Sequence, residues 1–373
     1  MLARIFDSTG RVIGLDIVRA IAIFYVFWGH GQLLIPAELH QLYSLPTIIP
    51  IDGVGLFFVL SGFLIGNILI RTISTTEFNF RDLLNFWLRR WFRTLPAYFA
   101  VLLFLIWIYF KYWNYDWRFF VFSQNVITDH PHFFHVAWSL SVEEWFYLTF
   151  PLVLFGLARF TKDHMTSLTA SLALFLIVPF LLRVYHGFGD SALSLLSTKS
   201  AVIFRLDSMM YGVAAAAIYY HWRSLWDKYA RVALLIGVCL LTLDLLYSWF
   251  LADNDALKVY YEIFKYSVQA VSYALLLPFF SNLKTLNSKI VTRAVVAVSK
   301  LSYSFYLMHA SVVLWLIIQM IQQTQFIKGL RFEFQWMLLF VLYGIISLVL
   351  SVVLYQLVEV PFLNLRKRVT KKV

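Results

Sequence analysis

Cysteine is almost missing from this sequence: of 373 residues only Cys239, within an apolar run, is one. A disulfide framework within one chain and a cysteine-based metal site are both excluded. Charge is scarce too, at 14% of residues where a soluble domain carries about 25%. Acidic residues are the scarcer sign, 20 against 31 Lys and Arg. What fills the chain instead is 61% hydrophobic residues, 19% of all residues being aromatic, with a mean hydropathy of +0.74. That balance excludes an ordinary soluble enzyme and places the chain among polytopic membrane proteins. The formal charge of +11 would point to nucleic acid in a soluble protein. Here it points to basic loops facing anionic lipid head groups, and no nucleic-acid partner is expected. The first apolar run is interrupted by Arg19 and lacks a small-residue cleavage site, so it does not read as a cleavable signal peptide.

Apolar stretches long enough to cross a bilayer recur about ten times, near 16–35, 54–70, 95–112, 141–159, 168–184, 203–220, 230–251, 262–281, 303–322 and 335–358. The segment 117–128 is apolar but too short to span. Assigning the connections alternately to the two sides puts about 22 of the 31 basic residues on one side, with the N-terminus, the arginine-rich 71–94 segment and the C-terminus. Both termini are therefore expected in the cytoplasm. No linker or repeat divides the chain, so residues 1–373 are read as one all-α bundle.

An ionisable group inside such a bundle costs about 2.5–3.5 kcal/mol on insertion, so each needs a partner, a cavity or a task. In the first span, Arg19 and His30 are eleven residues apart, which is three turns plus about 20° and roughly 16 Å of rise, so they share a face. Asp16 lies on that face three residues before Arg19, placed to pair with it. Arg89, Arg90 and Arg93 precede a span that begins at Pro96, among aromatic residues, a combination suited to phosphate and adenine. Glu143 and Glu144 follow Trp138 and Ser139 where the fourth span starts, and Arg205 and Asp207 enter the sixth. Each group has a structural counterpart reading: a snorkelling Arg19, a histidine bonded to a neighbouring helix, arginines as topology anchors, glutamates complementing a helix dipole, and an Arg205–Asp207 salt bridge.

Three further features carry expectations. Ser61 and Gly62 in the second span read as a close-packing pair, with the Ser61 hydroxyl also a hydrogen-bond donor or transient acyl carrier. Tyr303, Tyr306 and His309 recur at three-residue intervals on nearly one face at the start of a span, the usual place of an interfacial tyrosine belt. Glu359, followed by Pro361, is expected to end the last span and pair with a basic residue. His130, His132 and His135 form the densest histidine group, in a loop; no HExxH motif is present, and no catalytic metal is expected.

Taken in order, Arg19-x10-His30, GVGLFFVLSGFLI at 53–65, RRWFR at 89–93, WSLSVEEWFYL at 138–148, RLDSMMYG at 205–212, SYSFYLMH at 302–309 and VEVPF at 358–362 resemble the acyltransferase-3 family of integral-membrane O-acyltransferases, which modify polysaccharides and other cell-surface glycans. The resemblance spans nearly the whole chain. One position departs from it: Gly55 stands where relatives commonly carry an acidic residue. The resemblance implies transfer of an acyl group, acetyl first among candidates, from cytoplasmic acetyl-CoA or another acyl-CoA to a hydroxyl of an envelope or exported glycan, in a bacterial-type plasma membrane. It implies a catalytic set of His30 as general base with Glu144 and Arg19, and a donor site at Arg89, Arg90 and Arg93. Glu143, Arg205, Ser61 and Tyr306 are then expected around the substrates, with Glu144 favoured for binding the acceptor and Glu143 for orienting. Many relatives append an extracytoplasmic esterase-like domain; none is read here, so such a partner is expected to be a separate envelope protein. The competing function is a transporter or flippase for a lipid-linked sugar or small anion, using the same buried charges as a pathway. A structural subunit of an envelope assembly ranks below both.

Overall fold

The computed structural model describes residues 5–35, 51–75, 78–109, 116–131, 133–161, 163–188, 197–250 and 259–370. The described elements are helical, with no strand among them, and ten are long and apolar enough to cross a membrane. In chain order these are α1 (Ile13–Gly31), α2 (Gly53–Thr75), α3 (Phe80–Tyr109), α4 (Ala137–Thr161), α5 (His164–Phe188), α6 (Leu206–His221), α7 (Ala230–Phe250), α8 (Lys265–Asn282), α9 (Lys289–Met308) and α10 (Phe332–Leu354). π-helical turns extend three of them: Tyr260–Phe264 leads into α8, His309–Ile318 continues α9, and Tyr355–Glu359 joins α10 to a final helix Val360–Val369.

The helices correspond to the ten expected spans, but three boundaries move. α3 begins at Phe80 and runs straight through Pro96, so Arg89, Arg90 and Arg93 stand inside the helix and not in a loop before it. The first half of α3 is amphipathic, and its charged face hid it from a search for continuous apolar runs. α9 starts fourteen residues before position 303, which places Tyr303 and Tyr306 in mid-helix and removes the interfacial-belt reading. Glu359 does not end the last span. The wide turn over Tyr355–Glu359 has already displaced the i→i−4 ladder ahead of Pro361, so the missing proline N–H is accommodated and the helix continues to Val369.

In a bilayer, helix association depends on close backbone approach more than on burial of apolar surface from water. α2 and α6 meet in this way. A Cβ added at Gly62 would fall on the Met209 carbonyl, and one at Gly212 on the Val59 carbonyl. The packing role expected for Gly62 is therefore present, with Gly212 as its counterpart across the contact. Gly212→Val is expected to lower stability by about 1–3 kcal/mol through overpacking, while Gly156→Ala, which meets open space, leaves it unchanged. Thermal unfolding in detergent distinguishes the two; equal midpoints would remove the close-packing argument.

Two apolar clusters flank the line where α1, α2, α3, α4 and α9 converge. One is centred on Phe58, Phe146, Phe150 and Tyr273. The other is centred on Tyr98, Phe134, Leu140 and Leu307. Arg19, Ser61, Arg90, Arg93, Glu143 and Tyr306 come together where those helices meet.

Candidate functional site

Five helices enclose a chamber of about 80 Å³. α1 contributes Arg19; α2, Phe57, Phe58 and Ser61; α3, Arg90, Arg93 and Thr94; α4, Ser139, Glu143 and Tyr147; α9, Ser302, Tyr303 and Tyr306. A second, wider cavity of about 490 Å³ opens where the N-terminal segment meets the C-terminal helix, lined by Asp7, Arg11, Ser299, Lys300, Tyr355, Glu359, Arg366 and Lys367. Arg19 and Arg93 line both spaces and so stand at their boundary. Counting those two, the vestibule presents six cationic side chains and two carboxylates.

Asp16 does not pair with Arg19. It lies buried against Arg11, whose Nε donates to it at 2.8 Å, and accepts a 2.5 Å hydrogen bond from Ser299 Oγ on α9. The intrahelical spacing permitted the Arg19 pair, but these partners come from outside the helix. The hydrogen bond with Asp16 raises the affinity of the Arg11 guanidinium for its proton, keeping a cation at the vestibule wall. Arg19 is left with no hydrogen bond or ion pair among the described residues, facing the shared boundary.

The chamber wall is held by hydrogen bonds between helices. Tyr303 donates to the Thr94 carbonyl at 2.8 Å, and the hydroxyls of Ser139 and Tyr306 lie 2.5 Å apart. Tyr147 donates to Glu143 at 3.0 Å, and the Arg90 guanidinium lies 5.5 Å from the centroid of the Tyr147 ring. The two adjacent glutamates point apart, as neighbours on a helix must. Glu143 faces the chamber. Glu144 accepts from Thr94 Oγ1 at 2.9 Å and lines a different hollow with Trp91, Phe99 and Phe120. Both sit in the second turn of α4, beyond the first turn where a helix dipole acts strongly.

His30 closes α1 outside the lining of either cavity. Its Nδ1 lies 2.9 Å from the Val26 carbonyl and 3.3 Å from His309 Nε2, the two rings nearly perpendicular with centroids 4.9 Å apart. His309 in turn stands 5.7 Å, ring to ring, from Tyr306, which lines the chamber. The histidine pair thus lies one residue layer beyond the chamber wall.

Of the sequence-derived candidates, Arg19, Ser61, Arg90, Arg93, Glu143 and Tyr306 are brought together; Arg89, Glu144, His30 and Arg205 do not line that chamber. Arg205 is 1% exposed, with Nη2 3.5 Å from Asp52 and its guanidinium 3.9 Å from the centroid of the Tyr266 ring. The alternative reading of an Arg205–Asp207 bridge does not hold, because Asp207 binds Arg183 of α5, Nη2 to Oδ2 at 2.6 Å, with both side chains fully buried. Glu359 likewise finds Ser304 in place of a basic residue. Arg183 is legible in the sequence only as a lone charge in PFLLRVY, and Lys300, Arg366 and Lys367 only as loop and tail charges. Among the described residues no group of three His, Cys, Asp or Glu is placed to hold a metal ion. His132 lies outside the described residues, and His135 stacks on Trp315 with centroids 4.8 Å apart.

A family model described as an acyltransferase domain matches residues 12–356. The chain is also similar to a protein named O-acetyltransferase OatA from Staphylococcus aureus strains NCTC 8325, COL and MRSA252. Identity is 32% in each case, over 36% of this chain and 27% of that protein. The match thus spans about a quarter of the length of those curated relatives. No solved structure matches significantly.

Proposed function

Because the chain belongs to the acyltransferase-3 family, whose model covers most of its length, we propose that it transfers an acyl group, acetyl in the first instance, from acyl-coenzyme A to a hydroxyl of an envelope glycan. The observation that carries this reading is the pair of cavities that share Arg19 and Arg93 in their walls. A wide cationic vestibule suits the phosphates of coenzyme A, since guanidinium forks bind them bidentately. A narrow inner chamber suits the slender arm that carries the thioester. On this reading the basic end of the bundle, where the segment at Asp7–Arg11 meets the helix Val360–Val369, faces the cytoplasm of a bacterial plasma membrane, in accord with the positive-inside rule.

His30 is the general base. Its ring takes the proton of the acceptor hydroxyl as that oxygen attacks the thioester carbonyl; the C–O bond forms, the C–S bond breaks, and the proton passes on to the departing thiolate. Tyr306 lines the chamber with its hydroxyl held between Ser139 and the Val136 carbonyl, and on this reading it shapes the wall between the substrates and the histidine. Arg19 marks the passage of the donor. Glu143, not Glu144, is assigned to the substrates, because it alone of the two faces the chamber.

The test is turnover of radiolabelled acetyl-coenzyme A in proteoliposomes supplied with envelope glycan. The Arg90→Ala/Arg93→Ala pair is expected to raise the KM for the donor about tenfold or more, Arg93 lining the vestibule proposed for the phosphates and Arg90 the chamber proposed for the arm, with one charged hydrogen bond contributing about 1.5–3 kcal/mol. An unchanged donor KM would make the arginines topology anchors. Donor-independent movement of a lipid-linked sugar or small anion, without acyl transfer, would replace this reading by a transporter.

A further inference from the structure

The reaction above needs one ring nitrogen of His30 to be bare, and the surroundings of His309 determine which. His309 is 0% exposed and opens the π-helical stretch of α9. Its Nδ1 lies 2.8 Å from the Tyr306 carbonyl and 3.1 Å from that of Phe305. Carbonyl oxygens only accept, so Nδ1 of neutral His309 carries the proton and Nε2 carries a lone pair. That lone pair lies 3.3 Å from His30 Nδ1, which also lies 2.9 Å from the Val26 carbonyl. Two acceptors meet at one nitrogen, and only an N–H satisfies both. The opposite arrangement would set lone pairs against three carbonyl oxygens. His30 therefore holds its proton on Nδ1 and leaves Nε2 unprotonated, with no hydrogen-bond partner among the described residues.

We propose that His309 is the positioning residue of His30: it accepts from the Nδ1–H, fixes the ring with Nε2 bare, and shares the positive charge when Nε2 takes the hydroxyl proton. The inference rests on the acyltransferase reading. It assigns to the buried second histidine the part that an orienting acceptor plays in a nucleophile–base–orienter arrangement. No proton moves to His309. The proton gained at Nε2 leaves to the thiolate, and the Nδ1–H stays in place throughout.

Full-length protein in liposomes with acetyl-coenzyme A and envelope glycan separates the outcomes. His309→Ala is expected to lower kcat about 10²-fold with the donor KM within about twofold of wild type, because His309 lines neither cavity. His309→Gln, which can offer an acceptor oxygen toward His30, should recover about tenfold of that loss. In a His30→Ala background, His309→Ala should cost nothing more, since it acts only through His30. Nitrogen-15 spectra of histidine-labelled protein, assigned by the loss of signals in His30→Ala, are expected to show His30 protonated at Nδ1 and bare at Nε2, with the Nδ1–H resonance moving in His309→Ala. Full activity in His309→Ala, no recovery in His309→Gln, or a His30 proton on Nε2 overturns this inference alone. A wild type that shows the expected spectrum but never transfers an acyl group overturns the acyltransferase reading, and the catalytic part with it.

Discussion

His30→Ala is expected to lower acyl transfer by about 10²–10⁴-fold, the usual contribution of a positioned general base, while membrane accumulation and the KM for acetyl-coenzyme A stay within about twofold of wild type. The selectivity of the effect follows from position. His30 lines neither the chamber nor the vestibule, so the contacts expected to hold the donor survive its removal. A group that acts in the transition state and not in donor binding changes kcat and kcat/KM together and leaves KM alone. Its loss also leaves little behind structurally, because the end of α1 is held by Phe27, stacked on Tyr343 with centroids 4.7 Å apart, and by a Tyr343 hydroxyl directed at the Phe27 carbonyl at 3.4 Å. Steady-state assays of purified protein at matched concentrations decide the matter. A KM rise with kcat intact would move His30 from the chemistry to donor binding, and retained transfer would remove it from the mechanism.

The parts of this arrangement that sequence disclosed share one property: they depend on spacing along a single helix. Ten spans were legible because a bilayer demands long apolar runs. The common face of Arg19 and His30 was legible because it is helical geometry. What the sequence concealed depends on contacts between helices far apart in the chain. Asp16 turns from Arg19 to Ser299, 283 positions away, and His309 meets His30 across 279. Glu143 and Glu144 are adjacent in sequence, and their division between two cavities follows only from the helices packed on either side. The start of α3 was concealed for a different reason. A helix that carries arginines to a polar cavity cannot look apolar along its whole length, so the segment most relevant to donor binding is the one a hydropathy search cuts short.

The Arg183–Asp207 pair is the place where a single substitution should do the most structural damage. All five guanidinium N–H groups of Arg183 are used: Nε donates to the Ile263 carbonyl, Nη1 to Asp207 and the Phe204 carbonyl, and Nη2 to Asp207 and Ser267. Ser267 also donates to Asp207 at 3.3 Å. The knot joins α5, α6 and the entry to α8, with both charges at 0% exposure. Arg183→Leu leaves a buried carboxylate and two carbonyls without their guanidinium donor, and breaking a buried pair in this way costs about 3–5 kcal/mol. That approaches the whole stability of many folded domains, so the variant is expected to accumulate poorly and to lose its sharp thermal transition in detergent. Arg183→Lys keeps the charge but supplies three donors in place of five, and should fall between the two. Arg183→Leu/Asp207→Leu removes the stranded charge and should regain part of the loss, because two matched apolar groups cost less than one unpaired ion. Neither residue lines the chamber or the vestibule. Whatever fraction of the double variant folds should therefore turn over acetyl-coenzyme A with the wild-type KM. A wild-type unfolding midpoint in Arg183→Leu would mean that the pair contributes nothing to stability, and a raised donor KM in folded protein would tie the knot to the substrate path.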